Sequence, residues 1–309
     1  NVSSTLNYSD AFQRHLDDYN HYQLDFHSDE SETYNDLLSM GEVTEAIKHC
    51  GNTSTGPDKV HYAFIRHLSQ VQLQELLKLY NYIWTERCFP TEWTHSHIIP
   101  ILKPGKPAGD PQSYRPIQLT SCLCKLMERV IAKRLSWHTE RQNMISQYQC
   151  AFRKGRSAVD HIVRLESDIR RGFFYHKYTL AIFLDFKSAY NLVSPLALLV
   201  KMHTLGFRGR LMYFLQSYLG ERTFQVKCGR MSNVFRQETG LVQGGVLSPI
   251  LFNLMINDIF DGIPNEFSHA IYADDCTLWI QGRDVRQLIN SMQTALNTLT
   301  DWAHRWGFT

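Results

Sequence analysis

The sequence predicts a compact, soluble α+β fold, and three features carry that expectation. Short apolar runs at 179–184 and 276–280 have strand length and adjoin acidic residues. The stretch 285–306 instead repeats Leu288, Met292, Leu296, Leu299 and Trp302 at helical spacing. Between them a Gly-rich segment, 240–247, runs into Ser248-Pro249, where Ser suits a helix N-cap and Pro the first helical position. The 309 residues are 43% hydrophobic with a net charge of +2, ordinary values for a globular chain with core enough for two domains.

In chain order, the first 41 residues are polar and acidic, and before residue 50 the acids face only Arg14 and Lys48. That composition fits a linker or peripheral helices. Over 103–171 the balance reverses, with Lys and Arg well exceeding the acids, which suits a polyanion track. Along 125–134 the same charges equally suit a mixed helical surface. Strand 179–184 follows, then helices expected over 195–205 and 209–219, a strand pair around 223–226 and 234–237, the helix begun at Ser248-Pro249, an acidic hairpin at Tyr272-Ala273-Asp274-Asp275, and the amphipathic helix. No repeat or low-complexity tract interrupts them. The seven cysteines are odd in number and form no regular framework, so a reducing, intracellular setting is expected. Cys122 and Cys124 have no matching zinc partners nearby and read as buried thiols. No uninterrupted apolar span predicts a membrane crossing.

Neighbouring side chains in a regular strand point to opposite faces, so Asp274 and Asp275 can serve one metal centre only where the backbone turns. Asp favours such turns. Read singly, the tetrapeptide is equally an acidic β-turn, Asp185 a cap on the turn after its strand, and 240–248 an ordinary strand-to-helix connection. Their order joins them: strand-end Asp, Gly-rich loop with helix start, Asp-Asp hairpin.

With that order, the chain from about residue 42 onward resembles the reverse transcriptase domain of a non-LTR retrotransposon, of the jockey-like or LINE-like kind. Ser54-Thr55-Gly56-Pro57-Asp58-Lys59-Val60, Ile99-Pro100-Ile101-Leu102-Lys103-Pro104-Gly105-Lys106 and Ser113-Tyr114-Arg115-Pro116-Ile117-Gln118-Leu119-Thr120-Ser121 are similar to the family's finger segments. Gln147-Tyr148-Gln149-Cys150-Ala151-Phe152-Arg153-Lys154-Gly155-Arg156-Ser157 resembles its template-contacting stretch. The resemblance implies a right-hand polymerase fold: an acidic extension at 1–41, fingers at 42–176, and a palm at 177–309 whose antiparallel sheet is backed by helices. It also implies a fragment, with the palm truncated at its C-terminus, the thumb absent, an endonuclease upstream in the full-length element, and little processive synthesis by the fragment itself.

By the same resemblance the activity is RNA-directed DNA synthesis, using an RNA template, a DNA primer and dNTPs, with two Mg2+ ions for which Mn2+ can substitute. Two cations about 3.5–4 Å apart stabilise the attacking and leaving oxygens of a phosphoryl transfer, and magnesium takes oxygen ligands. Asp185 and Asp274 are the expected bridging pair, with Asp275 in support. Lys103 and Arg115 correspond to residues gripping the triphosphate. Phe186, Ala189 and Tyr190 adjoin the nucleotide, Tyr190 lying under the sugar to exclude a 2′-hydroxyl, and Gln243 offers both a donor and an acceptor from the Gly-rich loop. Arg153, Lys154 and Arg156 are expected to track template phosphates. The expected location is the cytoplasm and nucleus, as a retroelement ribonucleoprotein.

Three positions depart from the family: Val242 stands where Pro is usual, Gly245 where Ser is usual and Asn191 where Asp is usual. Asn191 removes a charge near the site and Gly245 loosens the loop, which fits reduced activity. Two other readings stand beside the polymerase: a non-catalytic RNA-binding remnant, and a metal-dependent phosphodiesterase that leaves Tyr190 and the Gly-rich loop unexplained. An RNA-templated RNA polymerase is disfavoured by Tyr190.

Overall fold

The structure is a computed structural model describing residues 12, 24–28 and 32–308; most of the acidic segment 1–41 lies outside these residues. In chain order come helices α1 (Met40–Lys48), α2 (Tyr62–Arg66) and α3 (Gln70–Glu86), strands β1 (His95–Leu102) and β2 (Tyr114–Leu119), and helices α4 (Cys122–Arg141) and α5 (Ala158–Phe174). Strand β3 (Tyr178–Asp185) leads to α6 (Ala189–Leu192), α7 (Pro195–Thr204) and α8 (Arg210–Leu219). Then follow β4 (Arg222–Cys228), β5 (Arg230–Met231), β6 (Phe235–Gln237), α9 (Ser248–Ile256), β7 (Ser268–Tyr272), β8 (Asp275–Gly282) and α10 (Val285–Trp306).

Local chemistry explains several boundaries. Capping boxes of Ser39 with Glu42 and Ser69 with Gln72 open α1 and α3. Asp284 accepts the N–H groups of Arg286 and Gln287 to start α10, which ends at Gly307 with φ 77°. One expectation fails in detail: Ser248 starts α9, but its hydroxyl donates back to the Val242 carbonyl at 2.7 Å, bracing the preceding loop from within the helix's first turn.

The chain forms two compact units. The first holds described residues 24–138 and 199–248 and is built on a mixed sheet in the order β2-β1-β4-β5, with β6 also on β4. Strand β1 is antiparallel to β2 and parallel to β4. Its core gathers Tyr80, Trp84, Phe207, Phe214 and Tyr218, all buried, with the Trp84 and Phe214 rings 5.6 Å apart. Burying a large apolar side chain of this kind contributes about 2–3 kcal/mol.

The second unit holds described residues 139–198 and 249–308 together with Phe12, and its sheet is fully antiparallel in the order β3-β8-β7. Cys276, Leu278 and Ile280 alternate along one buried face of β8. Helix α10 lies against β3 and β8, its buried stripe formed by Leu288, Met292, Ala295, Leu299 and Trp302. Helix α5 is tied to the opposite face: Trp279 donates to the Asp168 carboxylate at 2.9 Å, and Gln281 to the Thr179 hydroxyl at 3.0 Å and the Asp168 carbonyl. Farther along that face Phe183 is 72% exposed, so the end of the sheet that carries the acids is open.

Among the described residues no helix is long and apolar enough to cross a membrane. The cysteines are free thiols, with Cys122 and Cys124 buried.

Candidate active site

Asp185, the last residue of β3, is the register partner of Asp275, the first residue of β8. Residues directly opposed in an antiparallel ladder project to one face with Cβ atoms about 4.5–5.5 Å apart, so the two carboxylates share the open face. Tyr272 also pairs with Asp275, which leaves Ala273-Asp274 as a two-residue turn. Ala273 has φ 57°, in the left-handed region that favours Gly. Alanine there costs on the order of 1 kcal/mol.

Asp274 is half-buried at this turn. Burial, followed by the charges of Asp275 and Asp185, raises its carboxyl above the usual range, opposed by a hydrogen bond to its own backbone. The ion pairs of the described residues lie elsewhere in the chain. Carboxylates that repel one another and have no ion-pair partner among the described residues offer the oxygen ligands that a hard divalent cation takes. Among the described residues no group of three or more His, Cys, Asp or Glu side chains is drawn together as a ready-made metal site.

A polar frame holds this hairpin. The stretch before α5 runs alongside β7: Ile271 donates to the Tyr148 carbonyl at 2.9 Å, and Cys150 donates to the Ile271 carbonyl at 3.0 Å. That carbonyl also meets His161 Nε2 at 2.9 Å, and Arg164 donates to the His269 carbonyl at 2.7 Å while lying 4.0 Å over the Tyr148 ring. Gln149, fully buried, reaches the turn itself, where its Oε1 accepts the Ala273 N–H at 3.2 Å.

Three expected nucleotide residues lie in this unit. The Tyr190 ring stacks on Phe252, with centroids 4.4 Å apart and planes 10° from parallel. Burial first, and then the charge of Asp274, push its hydroxyl pKa up, which sets it in the field of the acids. Ala189 is buried, and Phe186 packs toward Phe308 and Trp302 with ring centroids 5.7 and 6.2 Å away, so its ring belongs to an aromatic cluster at the end of α10. Asn191 donates its N–H to the Ser188 carbonyl at 2.8 Å.

The three residues expected to track the template differ among themselves. Arg153 is nearly buried, paired through two nitrogens with Glu140 at 2.6 and 2.7 Å and donating to the Ser146 and Gln149 carbonyls. It ties the loop down, whereas Lys154 and Arg156 are exposed. Elsewhere in the basic stretch, Arg134 is paired with Glu42 and Arg171 with Asp168.

Lys103, Arg115 and Gln243 belong to the first unit. Lys103 Nζ donates to the Gln112 carbonyl at 3.1 Å, and Arg115 is exposed on β2 opposite Ile101. The Gln243 backbone is bound both ways to Gln118, donating to its Oε1 at 3.0 Å and accepting its N–H at 2.7 Å. The loop is therefore braced around its glycines. A Cβ at Gly245 would stand 2.9 Å from both Ser248 Oγ and Tyr218 Oη, so those hydroxyls occupy the room that a larger residue would need.

Beneath this loop sits Glu128, which the sequence reading passed over. Wholly buried on α4, its Oε2 accepts the N–H groups of Val246 at 2.7 Å and Leu247 at 3.2 Å and the Tyr218 hydroxyl at 3.2 Å. Its signal was present: a carboxylate in helical phase with Cys124, Met127, Ile131 and Leu135 falls on an apolar stripe.

A family model described as reverse transcriptase (RNA-dependent DNA polymerase) matches residues 101–309. The chain is 33% identical over 279 residues to the probable RNA-directed DNA polymerase from transposon BS of Drosophila melanogaster, an alignment covering 87% of this chain and 30% of that relative. To the RNA-directed DNA polymerase from mobile element jockey of the same organism it is 30% identical, covering 81% of this chain and 28% of the relative. To the Pol polyprotein from type-1 retrotransposable element R1 of Bradysia coprophila it is 27% identical, covering 87% and 26%. The chain thus spans less than a third of the length of these relatives.

Proposed function

Because the chain belongs to the reverse transcriptase (RNA-dependent DNA polymerase) family of non-LTR retrotransposons, we propose that it carries the polymerase centre of such an element, copying RNA into DNA by adding deoxynucleotides to a primer 3′ end. The observation that carries the reading is the Asp185–Asp275 register with Asp274 on the adjoining turn. On this reading 42–176 are fingers, 177–309 the palm and 1–41 an extension, and the β3-β8-β7 sheet is the palm sheet.

Asp185, Asp274 and Asp275 hold the divalent cations, Mg2+ or Mn2+, which when bound offset the charge that builds on the attacking and leaving oxygens. Tyr190, fixed by Phe252, fills the space where a 2′-hydroxyl would lie. Ala189 keeps the backbone beneath the sugar compact, and Phe186 anchors the chain just after Asp185. Arg115 and Lys103 take the triphosphate, Arg by its planar fork and Lys as a point charge. Gln243 lines the nucleotide from its braced loop. Lys154 and Arg156 meet the template backbone, while Arg153 secures the loop that presents them. The working setting is a retroelement ribonucleoprotein in cytoplasm and nucleus.

The test is incorporation of a single deoxynucleotide onto a DNA primer annealed to RNA, with and without Mg2+. Magnesium-dependent incorporation is expected. RNA binding without incorporation would favour a non-catalytic remnant, and cleavage of nucleic acid with no nucleotide present would favour a phosphodiesterase.

A further inference from the structure

Gln149 is fully buried, yet only one end of its side chain is used. Oε1 accepts two backbone N–H groups, Ala151 at 2.9 Å and Ala273 at 3.2 Å, while Nε2 is buried without a partner among the described residues. The double acceptance fixes the amide orientation, since a flipped amide would set NH2 against two N–H donors. The backbone of the same residue bridges in parallel to Ile271, two positions before the turn. Gln149 therefore grips the hairpin from outside the β7-β8 ladder at Ala273, the residue held at φ 57° without being glycine. Asp274 is the next residue along the chain.

We infer that Gln149 is a positioning residue for the acidic turn: its side-chain oxygen holds Ala273 in the left-handed conformation and so aims the Asp274 carboxylate. This rests on the polymerase reading above. Glycine at position 273 would adopt the same backbone conformation without help, so Gln149 and Ala273 should be coupled in a way that a general packing role would not produce.

The experiment compares the full chain with Gln149→Met, which keeps the length but loses the acceptor, and with Gln149→Met combined with Ala273→Gly. Mn2+ binding is read by the electron paramagnetic resonance signal of free Mn2+, beside kcat and KM for single-nucleotide incorporation. Loss of a group that orients a metal ligand typically costs 10–100-fold. Gln149→Met is expected to weaken Mn2+ binding and lower kcat by about tenfold or more, with nucleotide KM within about twofold, and the added Ala273→Gly should recover most of both. Unchanged Mn2+ affinity in Gln149→Met, or a double variant no better than the single one, would overturn the inference. If Gln149→Met does not fold, Gln149→Glu takes its place, because it keeps the accepting oxygen. Mn2+ affinity no weaker than the parent's then supports the acceptor role, and a tenfold loss contradicts it. A parent that neither binds Mn2+ nor incorporates nucleotide would instead sink the polymerase reading itself.

Discussion

Asp185 and Asp275 occupy one rung of the β3-β8 ladder, the rung immediately beside the turn that carries Asp274. Ladder register determines which side chains share a face, so this pairing puts carboxylates from positions 90 apart in the chain (275 minus 185) on one surface. The exposed Phe183 two residues earlier marks the same surface as open.

Tyr190 is held flat against Phe252 and lies in the field of Asp274. If it is the sugar gate, Tyr190→Ala should shift preference toward ribonucleotides by about ten- to a hundredfold, the range that small steric changes in a pocket produce. Competing incorporation of matched ribo- and deoxynucleotides measures this, and an unchanged ratio would count against the gate.

Glu128 supplies one oxygen to two backbone N–H groups and a hydroxyl beneath the Gly-rich loop. Each buried donor left without a partner costs about 1–3 kcal/mol, so Glu128→Ala should destabilise the protein by about 3–5 kcal/mol, and Glu128→Gln by less because it keeps an acceptor. Urea unfolding of the three proteins provides the comparison; an alanine variant within about 1 kcal/mol of the parent would contradict the bracing role.

His269 lies between Phe260 and Tyr148, with ring centroids 4.5 and 4.4 Å away, and burial followed by the charge of Arg164 lowers its pKa to about 4. The unfolded chain, with an ordinary histidine pKa near 6.5, takes up this proton first. Stability from the neutral ring is therefore complete above about pH 6.5 and is lost as pH falls toward 4. Discounted for the ring's partial exposure, the loss is on the order of 1 kcal/mol. Thermal melts at pH 7.5 and 5 should show a smaller drop for His269→Phe than for the parent; equal drops would refute the assignment.

The strand ending at Asp185, the helices 195–205 and 209–219 and the amphipathic 285–306 were legible because each carries a periodic apolar pattern with local stop signals, and the structure follows them to within a residue or two. The acidic turn was legible for a related reason: two adjacent Asp can face one site only at a bend. What stayed hidden depends on long-range partners. That Arg153 is turned inward to Glu140 while Lys154 and Arg156 stay exposed cannot be read from three neighbouring charges. The hydroxyl of Ser248 was expected to cap its helix and instead serves Val242, the loop N–H groups having found Glu128 over a hundred positions away. Gln149 stood inside a motif read for its cations, and its contact with Ala273 appears only once the hairpin is formed.

The most direct measurement compares the parent with Asp274→Asn in single-deoxynucleotide extension of a DNA primer on RNA. Asparagine keeps the shape and one oxygen but removes a charge that its surroundings already disfavour. Loss of an outer residue around a metal costs 10–100-fold, so loss of a ligand should lower incorporation by at least about a hundredfold. RNA affinity should be unchanged and the melting temperature equal or higher. Equal incorporation by the two proteins would contradict the assignment of the aspartate cluster as the centre of the reaction.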